Sequence, residues 1–359
     1  MQKKLIALAV AGVLATPLAA QAGVEVYGQA RMSVDYVNND DTGLAPPAGS
    51  GLANPDKSAL SVTNNVSRIG FKGDEDLGNG LKAIWQIEQR VDFDTGGFAT
   101  GPRNTFLGLT GGFGTAQIGK IETPLRLATQ RIDAFADTRA DYNAIIGNIG
   151  GTLVFDKRSN NIIVYTSPEM QGFKLSGAYA PSDKSDDLPR STSDGDKSVG
   201  SVNATYGNGP LYLAAAFESQ GNYTGTNDAR ATRLGGSWDF GQGTTVGGVW
   251  EKADKGGANG DRKAWYVNAA HKMGYTTLKA AVAGAGDMGS KSDTGAMQYS
   301  LGAAYAMSKT AEVYALYTMM NNDKNGAYGL WNGQLATAGY NDKSVSALSV
   351  GINYKFSSK

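Results

Sequence analysis

The segment Val24-Glu25-Val26-Tyr27-Gly28-Gln29-Ala30-Arg31-Met32-Ser33-Val34-Asp35-Tyr36 sets the reading of the whole chain. Its even positions, Val24, Val26, Gly28, Ala30, Met32, Val34 and Tyr36, are apolar or small; its odd positions, Glu25, Tyr27, Gln29, Arg31, Ser33 and Asp35, are polar or ionisable. Side chains of an extended backbone point alternately to opposite faces, so this is a β-strand with one oily and one wet face. Leu81 to Val91 repeats the pattern, with Leu81, Ala83, Trp85, Ile87 and Val91 against Lys82, Gln86, Glu88 and Arg90. A weaker copy comes last, where Ser346, Leu348, Val350, Ile352, Tyr354 and Phe356 oppose Ala347, Ser349, Gly351, Asn353 and Lys355. A two-sheet sandwich also alternates, so period two alone leaves the fold open.

The connections between such segments narrow it. Short ones at 76–80, 111–114, 168–172, 207–210, 241–243, 273–275 and 307–309 take turns with longer polar ones at 38–57, 93–102, 122–157, 182–197, 221–229, 254–261, 286–294 and 322–343. Seven short and eight long connections join sixteen strands. An even strand number with short turns at one end and long loops at the other is the pattern of an outer-membrane barrel. A closed barrel is also the one β-structure that satisfies every backbone hydrogen bond in lipid, and sixteen strands leave room for an aqueous lumen. Glycine, 49 of 359 residues, is about twice its usual share of roughly 7%, as tight turns and close backbone approach require. Trp85, Tyr179, Tyr206, Phe217, Trp238, Phe240, Trp250, Trp265, Tyr305, Tyr317 and Phe356 fall mostly near strand ends on the apolar face, as interfacial girdles do.

Composition removes most other functions. The chain has no cysteine and one histidine, His271, which excludes disulfides, thiolate chemistry and any site needing two imidazoles. His271 ends a strand just before a short turn, the place of a polar rim residue rather than a proton switch. No Gly-x-Ser-x-Gly elbow or phosphate-cradling loop occurs, and the acidic pairs Asp40-Asp41 and Asp186-Asp187 lack calcium-ligand spacing. The expectation is therefore no enzyme, no cofactor and no metal. Lys3 and Lys4, the apolar run from Leu5 to Ala20 and the small-x-small site Ala20-Gln21-Ala22 read as a signal peptide over 1–22, with the barrel over 23–359. Removal of Lys3 and Lys4 takes 33 basic against 33 acidic residues to a net charge of −2, which argues against a nucleic-acid partner.

Specific segments carry a family likeness. They are Val26-Tyr27-Gly28, Ser67-Arg68-Ile69-Gly70-Phe71-Lys72-Gly73, Glu75-Asp76-Leu77-Gly78-Asn79-Gly80-Leu81-Lys82-Ala83 and Trp85-Gln86-Ile87-Glu88-Gln89. Phe113-Gly114-Thr115, Gly119-Lys120, Asn161-Ile162-Ile163-Val164-Tyr165-Thr166-Ser167-Pro168 and Gly351-Ile352-Asn353-Tyr354-Lys355-Phe356 complete the set. With them the chain resembles a Gram-negative general diffusion porin of the sixteen-stranded, homotrimeric kind, over essentially all of 23–356 and most specifically in the first 180 residues. One departure is that Ser357-Ser358-Lys359 follows Phe356, where family members end on an aromatic residue.

The resemblance implies an all-β fold: a sixteen-stranded antiparallel transmembrane β-barrel with short periplasmic turns, long external loops and a third long loop folded inward. That loop, about 122–157, would narrow the pore with Glu122, Asp133, Asp137 and Asp141, among which Arg126, Arg131 and Arg139 are interleaved. The four-residue spacing of Asp133, Asp137 and Asp141 would place them on one face of a helical turn. A basic wall would face them, and strand parity nominates Arg31, Arg68, Lys72, Lys82, Arg90 and Arg158, with Arg103 and Lys120 of undecided orientation. Glu25 and Lys355 are candidates to pair where the barrel closes. The function implied is a passive outer-membrane diffusion channel for ions and small hydrophilic solutes, leaning towards anions, in a homotrimer among outer-membrane lipid and lipopolysaccharide. Two alternatives stand beside it: a substrate-selective porin for sugars or organic anions, using inward-parity Tyr27, Tyr212, Tyr266 and Tyr314, or an exported β-protein with no channel.

Overall fold

The computed structural model describes residues 24–39, 58–181, 197–224, 227–331 and 341–358. The expected signal peptide, the two acidic pairs and parts of four long connections lie outside them. Strand β1 (Glu25–Asn39) pairs with an interrupted β2 (Ala59–Asn64 and Arg68–Gly78), followed by β3 (Leu81–Asp92), β4 (Gly97–Gly111) and β5 (Gly114–Glu122). A long loop opens with helix α1 (Pro124–Thr129) and returns to β6 (Arg158–Thr166). Then come β7 (Phe173–Ala180), β8 (Val199–Asn208), β9 (Leu211–Gln220), β10 (Ala229–Asp239) and β11 (Thr244–Asp254). The last are β12 (Asp261–Met273), β13 (Thr276–Ala285), β14 (Ala296–Ala306), β15 (Ala311–Asn322) and β16 (Ser344–Ser357). Each pairs antiparallel with its neighbours, and β16 returns to β1 in a register running from Tyr27–Ser357 to Asn39–Val345. The sheet is a closed barrel of sixteen antiparallel strands.

The turns explain their sequences. Gly78, Asn79 and Gly80 all have positive φ (85°, 53° and 75°), a path that two glycines and an asparagine follow without strain. The interruption of β2 at Asn65-Val66-Ser67 puts Val66 at φ 60°, and Ser67 mends the ladder there. Its Oγ accepts from Arg31 N (2.9 Å) and donates to Arg31 O (3.1 Å). The 93–102 connection is shorter than its polar sequence suggests, because β4 already begins at Gly97.

Burial is inside out relative to a water-soluble domain. Outward side chains are large, apolar and exposed, among them Leu60, Leu213, Leu234, Trp250, Trp265 and Leu301, and form the belt a bilayer covers. The buried apolar residues are in the lumen, where the long loop supplies Leu125, Ile145, Ile146, Ile149, Val154 and Phe155, all at 0% exposure. Each such side chain contributes about 2 kcal/mol on leaving water. That drives the loop inward. The wall of β9 to β13 that receives it is lined by small residues, including Ala214, Ala216, Ala231, Ala253 and Ala264. A Cβ added at Gly235 or Gly247 would stand 2.7 Å from the Ile132 side chain, so part of the glycine excess makes room for the loop.

Candidate functional site

The loop between β5 and β6 crosses the lumen and is tied down along its length. At its start Asn203 Nδ2 donates to Pro124 O (2.7 Å), and Tyr212 Oη donates to Ala128 O (2.7 Å). At mid-course Asn268 Nδ2 donates to Ile132 O (2.8 Å), and Tyr266 Oη donates to Asp133 Oδ1 (2.9 Å) while accepting from Ala134 N (3.1 Å). The tip reaches the far wall. Arg139 Nε donates to the fully buried Asp35 of β1 (2.7 Å), and Arg31 Nη1 donates to Ala136 O (2.5 Å). Of the four inward tyrosines, Tyr212 and Tyr266 thus hold the loop, whereas Tyr314 accepts from Asn65 Nδ2 (3.2 Å) and Tyr27 donates to Glu88 (2.9 Å), both on the barrel wall.

The returning half is fixed by a buried ionic cluster. Arg233, Asp156, Glu251 and Arg262 have side chains at 0% exposure. Arg233 pairs with Asp156 (2.6 Å) and donates through both Nε (3.0 Å) and Nη2 to Glu251 Oε2, while Glu251 Oε1 takes Arg262 (2.9 Å). Glu251 accepts from Gly147 N (2.9 Å), and Arg262 donates to Ile145 O (2.7 Å) and Asn148 O (2.6 Å). Two positive and two negative charges balance, and their hydrogen bonds reach the loop backbone, the condition under which buried charge is tolerated. Sequence reading passed over Arg233, Glu251 and Arg262. The signal was present: each has inward parity, and Arg233 stands directly opposite Glu251 in the β10–β11 register.

Between the loop and the wall of β2 to β6 lies open space. One cavity of about 330 Å³ is lined by Arg90, Arg103, Lys120, Arg126, Arg158 and Asp137, among others; an adjoining one of about 300 Å³ adds Arg68, Glu88, Glu122 and Asp133. Arg68 faces Asp137 across the gap at 3.3 Å and Glu88 at 3.8 Å; Glu88 also takes Arg103. Glu122 binds Arg126 (3.0 Å) and, closely, Arg158.

The expected site residues divide. Arg68, Arg90 and Arg158 line this space; Arg31 holds the loop tip; Arg103 and Lys120, of undecided orientation in sequence, join the wall. Two lysines do not join it. Lys72 pairs with Glu25 (3.2 Å) at the start of β1, and exposed Lys82 pairs with Asp74 (3.0 Å) beside the 78–80 turn. Glu25 is therefore engaged by Lys72, its register partner, and not by Lys355, which stands opposite Gln29. Parity gives a side chain's face but not its height in the barrel.

Asp133, Asp137 and Asp141 do not share a helical face, because the helix ends at Thr129 and a three-residue 3-10 turn at Ile132. Their short carboxylates instead capture backbone N–H groups and fold the tip into turns. Asp133 accepts from Phe135 N (2.9 Å) and Tyr142 N (3.1 Å); Asp141 accepts from Asp137 N (2.8 Å) and Asn143 N (2.8 Å). Burial pushes the Asp133 carboxyl up to about 6 against these donors, and burial together with nearby Asp133 raises Asp141 well above the usual carboxylate range. Burial would raise Asp137 too, but Arg68, Arg31 and Arg103 outweigh it and hold that group below its ordinary value. Asp137 is thus the ionised carboxylate that meets the arginine wall. His271 sits beside the short-turn end, its Nδ1 2.7 Å from Thr244 Oγ1.

Comparison with known proteins agrees with this geometry. The family model described as Gram-negative porin matches residues 7–325. The chain is 36% identical over 183 residues to the major outer membrane protein P.IB of Neisseria sicca, covering 51% of this chain and 48% of that protein. It is 37% identical over 200 residues to P.IA of Neisseria meningitidis serogroup A, covering 52% and 48%. The chain spans about half the length of the curated relatives it matches. Among solved structures it is similar to an anion-selective porin from Comamonas acidovorans, with TM-score 0.77, 25% identity, and coverage of 94% of this chain and 100% of that one.

Proposed function

We propose that this chain, which belongs to the Gram-negative porin family, is a passive outer-membrane diffusion channel for ions and small hydrophilic solutes, with a constriction that favours anions. The observation that carries the reading is the unequal charge of the open space beside the loop. Arg68, Arg90, Arg103, Lys120, Arg126, Lys157 and Arg158 stand against Glu88, Glu122, Asp133, Asp137 and Asp156, with Asp141 inclined to hold its proton. In a narrow lumen the sign of the lining sets which ion replaces its hydration most cheaply. The transverse field between Asp137 and the arginines orders water there, so polar solutes that couple to it pass and apolar ones are disfavoured. The similar Comamonas protein is described as anion-selective, which supports the same sign.

No catalytic step is part of this reading. The constriction comprises Glu122, Asp133, Asp137 and Asp141 on the loop side and Arg31, Arg68, Arg90 and Arg158 on the wall, with Lys72 and Lys82 outside it. The functional unit is a homotrimer. Planar-bilayer recording of the refolded chain tests both parts: conductance rising in groups of three equal steps is expected, and folded protein that inserts without conductance would overturn the proposal.

A further inference from the structure

Of the three arginines interleaved in the long loop, Arg126 pairs with Glu122 and Arg139 with Asp35. Arg131 belongs to neither the constriction nor the buried cluster. It is exposed, and among the described residues no carboxylate pairs with it. Its guanidinium lies instead over the ring of Tyr212, with Cζ 4.1 Å from the ring centroid. Tyr212 is buried and its Oη is fixed on Ala128 O (2.7 Å), so the platform under the guanidinium is held in place. Stacking occupies a face of the planar cation and leaves its in-plane N–H fork free for a carboxylate.

Arg131 lines a cavity of about 260 Å³, close to the roughly 300 Å³ at which small-molecule sites begin. The walls come from the 168–172 turn, the start of β7, the end of β8 and the start of β9, which places the cavity on the short-turn side of the loop. None of its residues lines the two cavities at the constriction. Besides Arg131 the lining carries Lys174 and Glu169, which neutralise each other at 3.1 Å, and the neutral polar side chains of Ser176, Asn203 and Thr205. One cation is therefore uncompensated. The site suits a single negative charge, Glu169 disfavours a second, and the hydroxyl and amide groups suit a ligand body rich in hydroxyls. A sugar acid, a monocarboxylate with several hydroxyls, matches this lining; a dianion or an apolar acid does not.

We propose that Arg131, stacked on Tyr212, forms a second solute site on the short-turn side of the loop, for hydroxylated monocarboxylates passing that mouth of the pore. The inference rests on the channel reading for access of the ligand, but its test does not depend on current. The test is a saturation-transfer NMR titration of gluconate with the folded protein in non-ionic detergent, with sorbitol and acetate as comparison probes. Wild type should bind gluconate about tenfold more tightly than sorbitol, which lacks the charge, and more tightly than acetate, which lacks the hydroxyls. Arg131→Gln should weaken gluconate binding about tenfold, the worth of one charge-assisted contact. Arg131→Lys should restore only part of it, because an ammonium keeps the charge without the fork. The loss on changing Arg131 should persist in a background of Arg103→Gln with Arg158→Gln, which removes constriction arginines as alternative sites. Equal affinity for sorbitol or acetate, or full affinity in Arg131→Gln, would overturn the proposal. So would a loss confined to the constriction variant, which would place gluconate at the arginine wall. Bilayer conductance of Arg131→Gln reports that the barrel is folded. Gluconate binding indifferent to Arg131, with normal conductance, rejects this site alone, whereas Arg131-dependent binding without conductance rejects the channel.

Discussion

Replacing Glu251 by glutamine keeps shape and one acceptor oxygen but removes the negative charge that serves both Arg233 and Arg262. All four side chains of that cluster are at 0% exposure, so water cannot solvate the surplus positive charge. Removing one partner of a buried ion pair costs about 3–5 kcal/mol, mostly for the charge left behind. Arg233 retains Asp156 at 2.6 Å, and Arg262 retains the carbonyls of Ile145 and Asn148, which places the expected loss near 3 kcal/mol. It falls on the loop between Tyr142 and Asp156, because the strand ladders do not depend on Glu251. The assay pairs urea unfolding in lipid vesicles with single-channel recording. Glu251→Gln should lower the unfolding midpoint and add conductance flicker as the returning half of the loop loosens. Arg233→Met with Glu251→Met should destabilise less than the sum of the two single variants. Additive singles, or a quiet channel of unchanged stability in Glu251→Gln, would show that the cluster does not hold the loop.

Other consequences are open to direct measurement. Because the Asp133 carboxyl titrates near 6 in the folded barrel, above its unfolded value, the folded state binds the extra proton. Its contribution to stability therefore grows as pH falls from about 6 towards the unfolded value of roughly 4, and is lost as pH rises through 6. The same protonation removes negative charge beside the pore, so the reversal potential should move further towards anions on acidification, and Asp133→Asn should abolish most of that shift. Gly247→Ala forces a methyl to 2.7 Å from Ile132 and should cost about 1–3 kcal/mol by overpacking, read as a lower unfolding midpoint. Lys72→Gln and Lys82→Gln, which lie away from the loop, should leave ion selectivity unchanged in the recording that detects Arg103→Gln.

Alternation in Val24–Tyr36 and the rhythm of short and long connections made the barrel legible, because a sheet with lipid on one face and water on the other writes its period into every strand. Height and partner were not legible. Lys72, Lys82 and Arg68 share a parity, yet Arg68 alone of the three reaches the loop, since reach depends on distance along the strand from the turn. The acidic spacing at Asp133, Asp137 and Asp141 suggested a helix, but aspartates compete for backbone N–H groups and made turns instead. The Arg233–Glu251–Arg262–Asp156 cluster joins four distant segments, and only strand register brings them together. Small inward residues at Ala214, Ala231, Gly235 and Gly247 recorded the space reserved for the loop.

The most direct test of anion passage beside the arginine wall is the reversal potential of the reconstituted protein under a KCl gradient, with Arg103→Gln/Arg158→Gln alongside. The account predicts a wild-type potential of the sign set by chloride, moving towards zero in the double variant. A wild-type potential set by potassium, or one indifferent to both arginines, would contradict it.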